Sequence, residues 1–227
     1  MKNLRILRFI LLISLSSFIY SQVKSQDKEE DKITASTRVL QDFAKMKESI
    51  PAKLMNMSEG IIIVPKLING GFVLAAKRGK GIAMTKLADG TWSNPVFVTI
   101  TGGSIGLQAG IQSVELVLIF KHRETLEKIG RGSFTLGGDI SATAGPVGRN
   151  STASTDYKME AEVYSYSRSK GLFAGISLSG AAIDVDQKAN TAFYGKNLSS
   201  ETLFSSSGEN RTASVAALKH ELNSLHE

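Results

Sequence analysis

From Gly60 onward the chain is built of short β-branched runs broken by glycine, a pattern that restricts it to a β-rich fold. Ile61-Ile62-Ile63-Val64 is closed by Pro65, and turn signals follow at Asn69-Gly70-Gly71, Arg78-Gly79 and Asp89-Gly90. Branched side chains pack well on a pleated surface, and Asn-Gly or Asp-Gly reverses a hairpin because both residues tolerate positive φ. The spacing predicts a meander of antiparallel strands, continued by Val96 to Ile100, Ser113 to Phe120, Ser133 to Thr143, Ala161 to Arg168 and Leu172 to Val185. Glycine occurs 21 times in 227 residues, which lets such a sheet bend strongly. The expected class is α+β, a strongly curved, barrel-like antiparallel sheet with helices at its N- and C-terminal ends.

Helical periodicity lies at the flanks and in two interludes. After a charged linker from Gln26 to Lys32, the residues Val39, Leu40, Phe43, Met46 and Ile50 recur at three- and four-residue spacing and predict an amphipathic helix from Ile33 to Ile50. Pro51 then opens a second short helix carrying Leu54, Met55 and Met57. The first helix fits packing on the sheet, with Lys45, Lys47 and Lys53 solvated, or lying on a membrane surface. Interludes are predicted at Glu124 to Ile129 and Gln187 to Tyr194, and Val215, Leu218, Leu222 and Leu225 mark a terminal helix with Thr212 as its N-cap.

The N-terminus has the three-part layout of a secretory signal: Lys2, Arg5 and Arg8, an apolar run from Phe9 to Tyr20, then a short polar stretch. That run is shorter than the roughly 20 residues a spanning helix needs, so cleavage near Ser25 is expected, with an uncleaved anchor as the competing reading. The chain then divides into a signal peptide (1–25), linker and amphipathic helices (26–58), a β-rich domain (59–200) and a C-terminal helix (201–227). Absence of cysteine excludes disulfides, thiolate metal sites, a Cys nucleophile and the lipidated Cys of a lipoprotein. Loss of Lys2, Arg5, Arg8 and Lys24 with the signal takes the formal charge from +6 to +2, too little for a general attraction to nucleic acid. The expected location is periplasmic or secreted, with at most a peripheral membrane contact.

Catalytic patterns fail on inspection. Gly102-Gly103-Ser104-Ile105-Gly106 matches the G-x-S-x-G nucleophile elbow, but that elbow must open a helix, and Leu107-Gln108-Ala109-Gly110 is a poor helix start. The histidines are His122 in a charged turn and His220 and His226 in the terminal helix, poor candidates for a base to Ser104. No metal-binding motif occurs, Asp184 and Asp186 reading as strand-end surface acids, and no cofactor is implied. The glycines at 102, 106 and 110 share parity and would line one face of a strand, where another backbone or a ligand can come close.

Two cationic features remain. Lys77, Arg78 and Lys80 crowd what reads as one hairpin turn, suited to a phosphate headgroup or simply to solvation. In Val163-Tyr164-Ser165-Tyr166-Ser167-Arg168-Ser169-Lys170 strict alternation gives Tyr164, Tyr166, Arg168 and Lys170 one face. That face fits a lipid interface, with rings at the boundary and cations on anionic groups, or a cross-strand stack on an outer sheet face.

Read in series, Gly90-Thr91-Trp92-Ser93-Asn94-Pro95, Thr101-Gly102-Gly103-Ser104-Ile105-Gly106-Leu107-Gln108, Gly145-Pro146-Val147-Gly148-Arg149 and Tyr164 through Gly175 resemble the SYLF domain from about Ala52 to Gly195. The resemblance implies a non-catalytic lipid-binding module. Eukaryotic members bind phosphoinositides, and fungal members also bind and bundle actin. Many bacterial members are exported single-domain proteins, the layout seen here, so anionic phospholipid is the partner carried over and actin is not. Physics then nominates Lys66, Arg78, Lys80, Arg149, Arg168 and Lys170 as headgroup contacts, with Tyr164 and Tyr166 as interfacial rings. The helix from Ile33 to Ile50 is a second candidate contact. The alternative from another class is an exported cell-envelope domain that binds a protein partner through its sheet edge and helices.

Overall fold

The computed structural model describes residues 26–46, 49–132, 134–140, 142–145, 161–173, 178–209 and 212–225. Its centre is one very long hairpin. Strand β1 (Gly60–Thr85) pairs antiparallel with β2 (Val96–Phe120), from Gly60 opposite Phe120 to Ala83 opposite Val96. The reversal falls at Asp89-Gly90, where Gly90 adopts φ 82° and the Asp89 carboxylate accepts hydrogen bonds from the Thr91 N–H and hydroxyl at 2.9 and 2.7 Å. Asn69-Gly70-Gly71 and Arg78-Gly79, read above as turns, lie inside continuous strand. The meander is therefore corrected to a single bent hairpin.

Register shifts at Val64/Leu67 and Phe72/Leu74 mark where β1 bends. The bend brings the strand back against itself. A Cβ built on Gly81 would stand 2.1 Å from the Ile63 carbonyl oxygen, and one on Gly79 would stand 3.0 Å from the Lys66 carbonyl oxygen. These glycines serve close approach between two arms of one strand, which is why a turn reading of the same residues fails.

Other strands flank the two arms of β2. Strand β5 (Val163–Ser169) pairs with Glu115 to Phe120 at one end, and β7 (Ala181–Val185) pairs with Val98 to Gly102 at the other. Strand β3 (Phe134–Leu136) pairs with β7, β6 (Leu172–Phe173) with β5, and β4 (Ala142–Ala144) lies parallel to β5, an exception to the expected antiparallel pattern. The result is a nearly closed, barrel-like sheet with helices at both ends of the chain, an α+β fold.

Both faces of this sheet are covered, which explains the unbroken apolar runs. Ile62, Val64, Leu116, Leu118 and Phe120 join Phe134, Val163 and Ile183 in the core enclosed by the curl. Ile61, Ile63, Val117 and Ile119 face outward, where α1 (26–45), α2 (Ala52–Met57), α4 (Gln187–Tyr194) and α6 (Ala213–Ser224) cover them. A strand buried on two faces cannot alternate apolar with polar.

Helix α1 already includes 26–32, expected as a linker, and ends at 45 rather than at Ile50. Its Ile33, Leu40 and Phe43 are fully buried, each stabilising the docked helix by about 1.5–3 kcal/mol. The interludes form as α3 (Arg123–Glu127) running into a 3-10 turn (Lys128–Arg131), and as α4; a further helix, α5 (Ser200–Phe204), had no signal of its own in the periodicity. Thr212 caps α6, accepting the Val215 N–H at 3.3 Å. Among the described residues no helix is long and apolar enough to cross a membrane.

Candidate functional site

Strand β5 carries the alternating Tyr-Tyr-Arg face, and α1 lies across it. Tyr164 and Tyr166 are buried in the outer core with Leu40 and Phe43. The Tyr164 hydroxyl accepts the Ala161 N–H at 3.2 Å, and burial raises the Tyr166 phenol well above its ordinary pKa. Gly145 makes room for that ring, since a Cβ there would fall 2.1 Å from the Tyr166 ring. The expectation of two interfacial rings is corrected: both tyrosines are packing residues, because a helix distant in sequence covers the strand face they share.

Arg168 is clamped on the same face. Its guanidinium donates to Glu115 of β2 at 2.5 Å and to Asp42 of α1 at 2.6 Å, and lies 5.9 Å from the Phe43 ring centre. Desolvation would lower its pKa, but the two carboxylates outweigh it and raise the value. Both partners lie within the protein, so this arginine fastens α1 to the sheet. The apolar side of α1, the second candidate contact, is likewise committed to the core.

The three cations assigned to one turn separate along β1. Lys77 is buried, and desolvation lowers its pKa; Arg78 and Lys80 point the other way and are exposed. Lys80 reaches Asp186 at 2.6 Å, and Asp186 also accepts the Ala189 N–H at 3.1 Å as N-cap of α4, which makes it a structural acid rather than a free surface one. Arg149 lies outside the described residues.

The fold leaves Lys66, Arg78 and Lys170 exposed and brings Lys170 toward the Lys66 end of β1. Gly79 packs against the Lys66 carbonyl on the inner face, where the two arms of β1 meet, while Arg78 points to the opposite, exposed face. Lys170, at φ 51°, and Gly171, at φ 80°, form the tight turn from β5 to β6, and the preceding Ser169 donates to the Ser113 carbonyl at 3.2 Å. Ser113 in turn is paired with Ile68, two residues from Lys66. All three cations are exposed. The sequence holds a signal for this surface that motif reading passes over: between Glu59 and Asp89, and again from Gly90 to Val114, there is no acid.

No nucleophile elbow forms, since Ser104 lies inside β2 rather than at a strand-to-helix turn. Glu59, His122 and Glu124 bring potential ligand atoms within 4.8 Å of one another, but all three are exposed and Glu59 already accepts the Arg123 N–H at 3.0 Å. His122 also faces Glu162 at 3.5 Å on the exposed surface.

Comparison with known proteins adds a family description and several relatives. The family profile Ysc84, described as "Las17-binding protein actin regulator", matches residues 101–225. "LAS seventeen-binding protein 3" of Saccharomyces cerevisiae is 32% identical over 196 residues, covering 85% of this chain and 42% of the relative. "Protein YSC84" of the same yeast is 31% identical over 196 residues, and "SH3 domain-containing YSC84-like protein 1" of Bos taurus is 34% identical over 177 residues, 52% of its own length. The chain thus spans about half the length of the curated relatives it matches, or less.

Proposed function

Because the chain belongs to the Ysc84/SYLF family, we propose that it is an exported, non-catalytic module that associates peripherally with anionic phospholipid or phosphoinositide headgroups. The observation that carries this reading is the exposure of Lys66 and Arg78 on two long strands that hold no acid between Glu59 and Asp89 or between Gly90 and Val114, with Lys170 exposed at the adjoining turn. A cation near an anionic bilayer contributes about 1 kcal/mol, so three exposed cations favour such a surface by a usable amount. The names of the relatives describe binding and regulation, which fits a module without chemistry of its own.

The test is co-sedimentation of the processed protein with phosphatidylcholine vesicles, with and without phosphatidylserine or phosphoinositide. Binding to the anionic vesicles alone, weakening as salt rises, is the expected result. Lys66→Glu combined with Arg78→Glu lowers the bound fraction about tenfold or more, from the loss of two favourable charges and the gain of two repulsive ones. Equal indifference to all vesicles overturns the reading. A protein-interaction domain of the cell envelope is then the one that stands, in keeping with relatives named for binding Las17.

A further inference from the structure

Large apolar side chains are exposed at the same bend. Ile111 is 85% exposed and Ile68 43%. The register sets Ile68 opposite Ser113 and Gly70 opposite Ile111, so the two isoleucines share a face and are diagonal neighbours. Leu172, 73% exposed, sits at the adjoining β5–β6 turn beside Lys170.

Topology explains why none of the described elements covers them. Strand β5 leaves β2 at Glu115 and β7 joins it at Gly102, so between these points β1 is the strand neighbour of β2 among the described residues. Helix α1 stops at 45, with Phe43 and Asp42 engaged at the level of Arg168, one pair short of this stretch. Elsewhere on this sheet an outward isoleucine is buried, as Ile61, Ile63 and Ile119 are.

We propose that the bend of the β1–β2 hairpin is a membrane-inserting tip, Ile68 and Ile111 entering the boundary of an anionic bilayer while Lys66 and Lys170 hold its headgroups. The charge pattern selects this occupant. An apolar tip beside cations, on stretches with no acid from Gly60 to Ala88 and from Gly90 to Val114, matches a surface that is apolar within and anionic at its rim. The proposal rests on the headgroup reading above and adds to it a mode of contact, insertion through strand residues rather than through a helix.

The chain contains no cysteine, so Ile111→Cys gives a unique attachment point for an environment-sensitive dye. With phosphatidylserine-containing vesicles the dye emission shifts to the blue and its quenching by aqueous iodide falls. In co-sedimentation, Ile68→Asp with Ile111→Asp lowers the bound fraction about tenfold or more, whereas Met57→Asp, at an exposed apolar position on α2, binds as the parent does. Circular dichroism and thermal melting of each variant match the parent, since these side chains are exposed. If the parent binds anionic vesicles while the dye at position 111 stays in a water-like environment and the double aspartate variant binds normally, insertion is overturned and headgroup binding stands. If the parent binds no vesicle, both readings fall together.

Discussion

Partial burial by itself would raise the pKa of Asp186, but hydrogen bonds from Lys80 and the Ala189 N–H outweigh it and hold the carboxyl below its usual range. A depressed folded-state pKa contributes stability that is present above the unfolded value and lost as pH falls toward the folded one. Asp186→Ala, losing the N-cap of α4 and a half-exposed ion pair, costs about 1–2 kcal/mol at pH 7 by urea denaturation. That difference shrinks below about pH 4 as the wild-type carboxylate protonates. Asn keeps the cap and isolates the Lys80 pair, so Asp186→Asn shows the smaller part of the loss. A deficit that is constant from pH 7 to pH 3 contradicts the assignment. Neither partner was legible beforehand, since Lys80 and Asp186 are 106 residues apart and only the hairpin's far arm brings them together.

At the scale of elements, β1 and α1 each depend on one kind of contact. The two arms of β1 meet where Gly81 lies against the Ile63 carbonyl, so Gly81→Ala forces backbone apart and costs more than about 3 kcal/mol. Gly90→Ala meets no neighbour and costs about 1 kcal/mol through its positive φ alone. Chemical denaturation of the two variants ranks them, and equal losses contradict the folded-back strand. Helix α1 is held by its apolar face and by Arg168. Phe43→Ala costs about 3–5 kcal/mol. Arg168→Ala costs about 1–3 kcal/mol and, in hydrogen exchange, lowers protection in 26–45 more than in β2. The N-capping Thr212 and the limits of α4 were readable because capping and helical period are local properties. The arms of β1 were misread as turns because glycine serves a reversal and a close crossing equally well, and only the partner backbone distinguishes them.

For the whole molecule, the curl of the sheet makes two cores and, among the described residues, leaves a stretch of the β1–β2 hairpin uncovered. The enclosed core is completed by Leu126 and Ile129 and by Leu203 and Phe204 of α5, the outer face is closed by α1, α2, α4 and α6, and the bend between β5 and β7 is left with exposed isoleucines near Lys66 and Lys170. Of the eight residues nominated for headgroup contact, Lys66 and Lys170 lie beside that bend and Arg78 is exposed on the other arm of β1, whereas Tyr164, Tyr166 and Arg168 lie beneath α1, Lys80 is paired and Arg149 falls outside the described residues. Lys170→Glu therefore weakens vesicle binding without changing the melting temperature, while Arg168→Glu lowers the melting temperature by placing a third carboxylate beside Asp42 and Glu115. Equal melting temperatures contradict this division. By itself the sequence determined the family, the α+β class, the curvature its glycines allow, the helices whose period is local and the acid-free stretches. Tertiary structure alone decided which cations reach solvent and which aromatic face is covered. Those outcomes depend on residues far apart in the chain meeting across the sheet, and alternation along one strand assigns residues to a face without saying what lies on it.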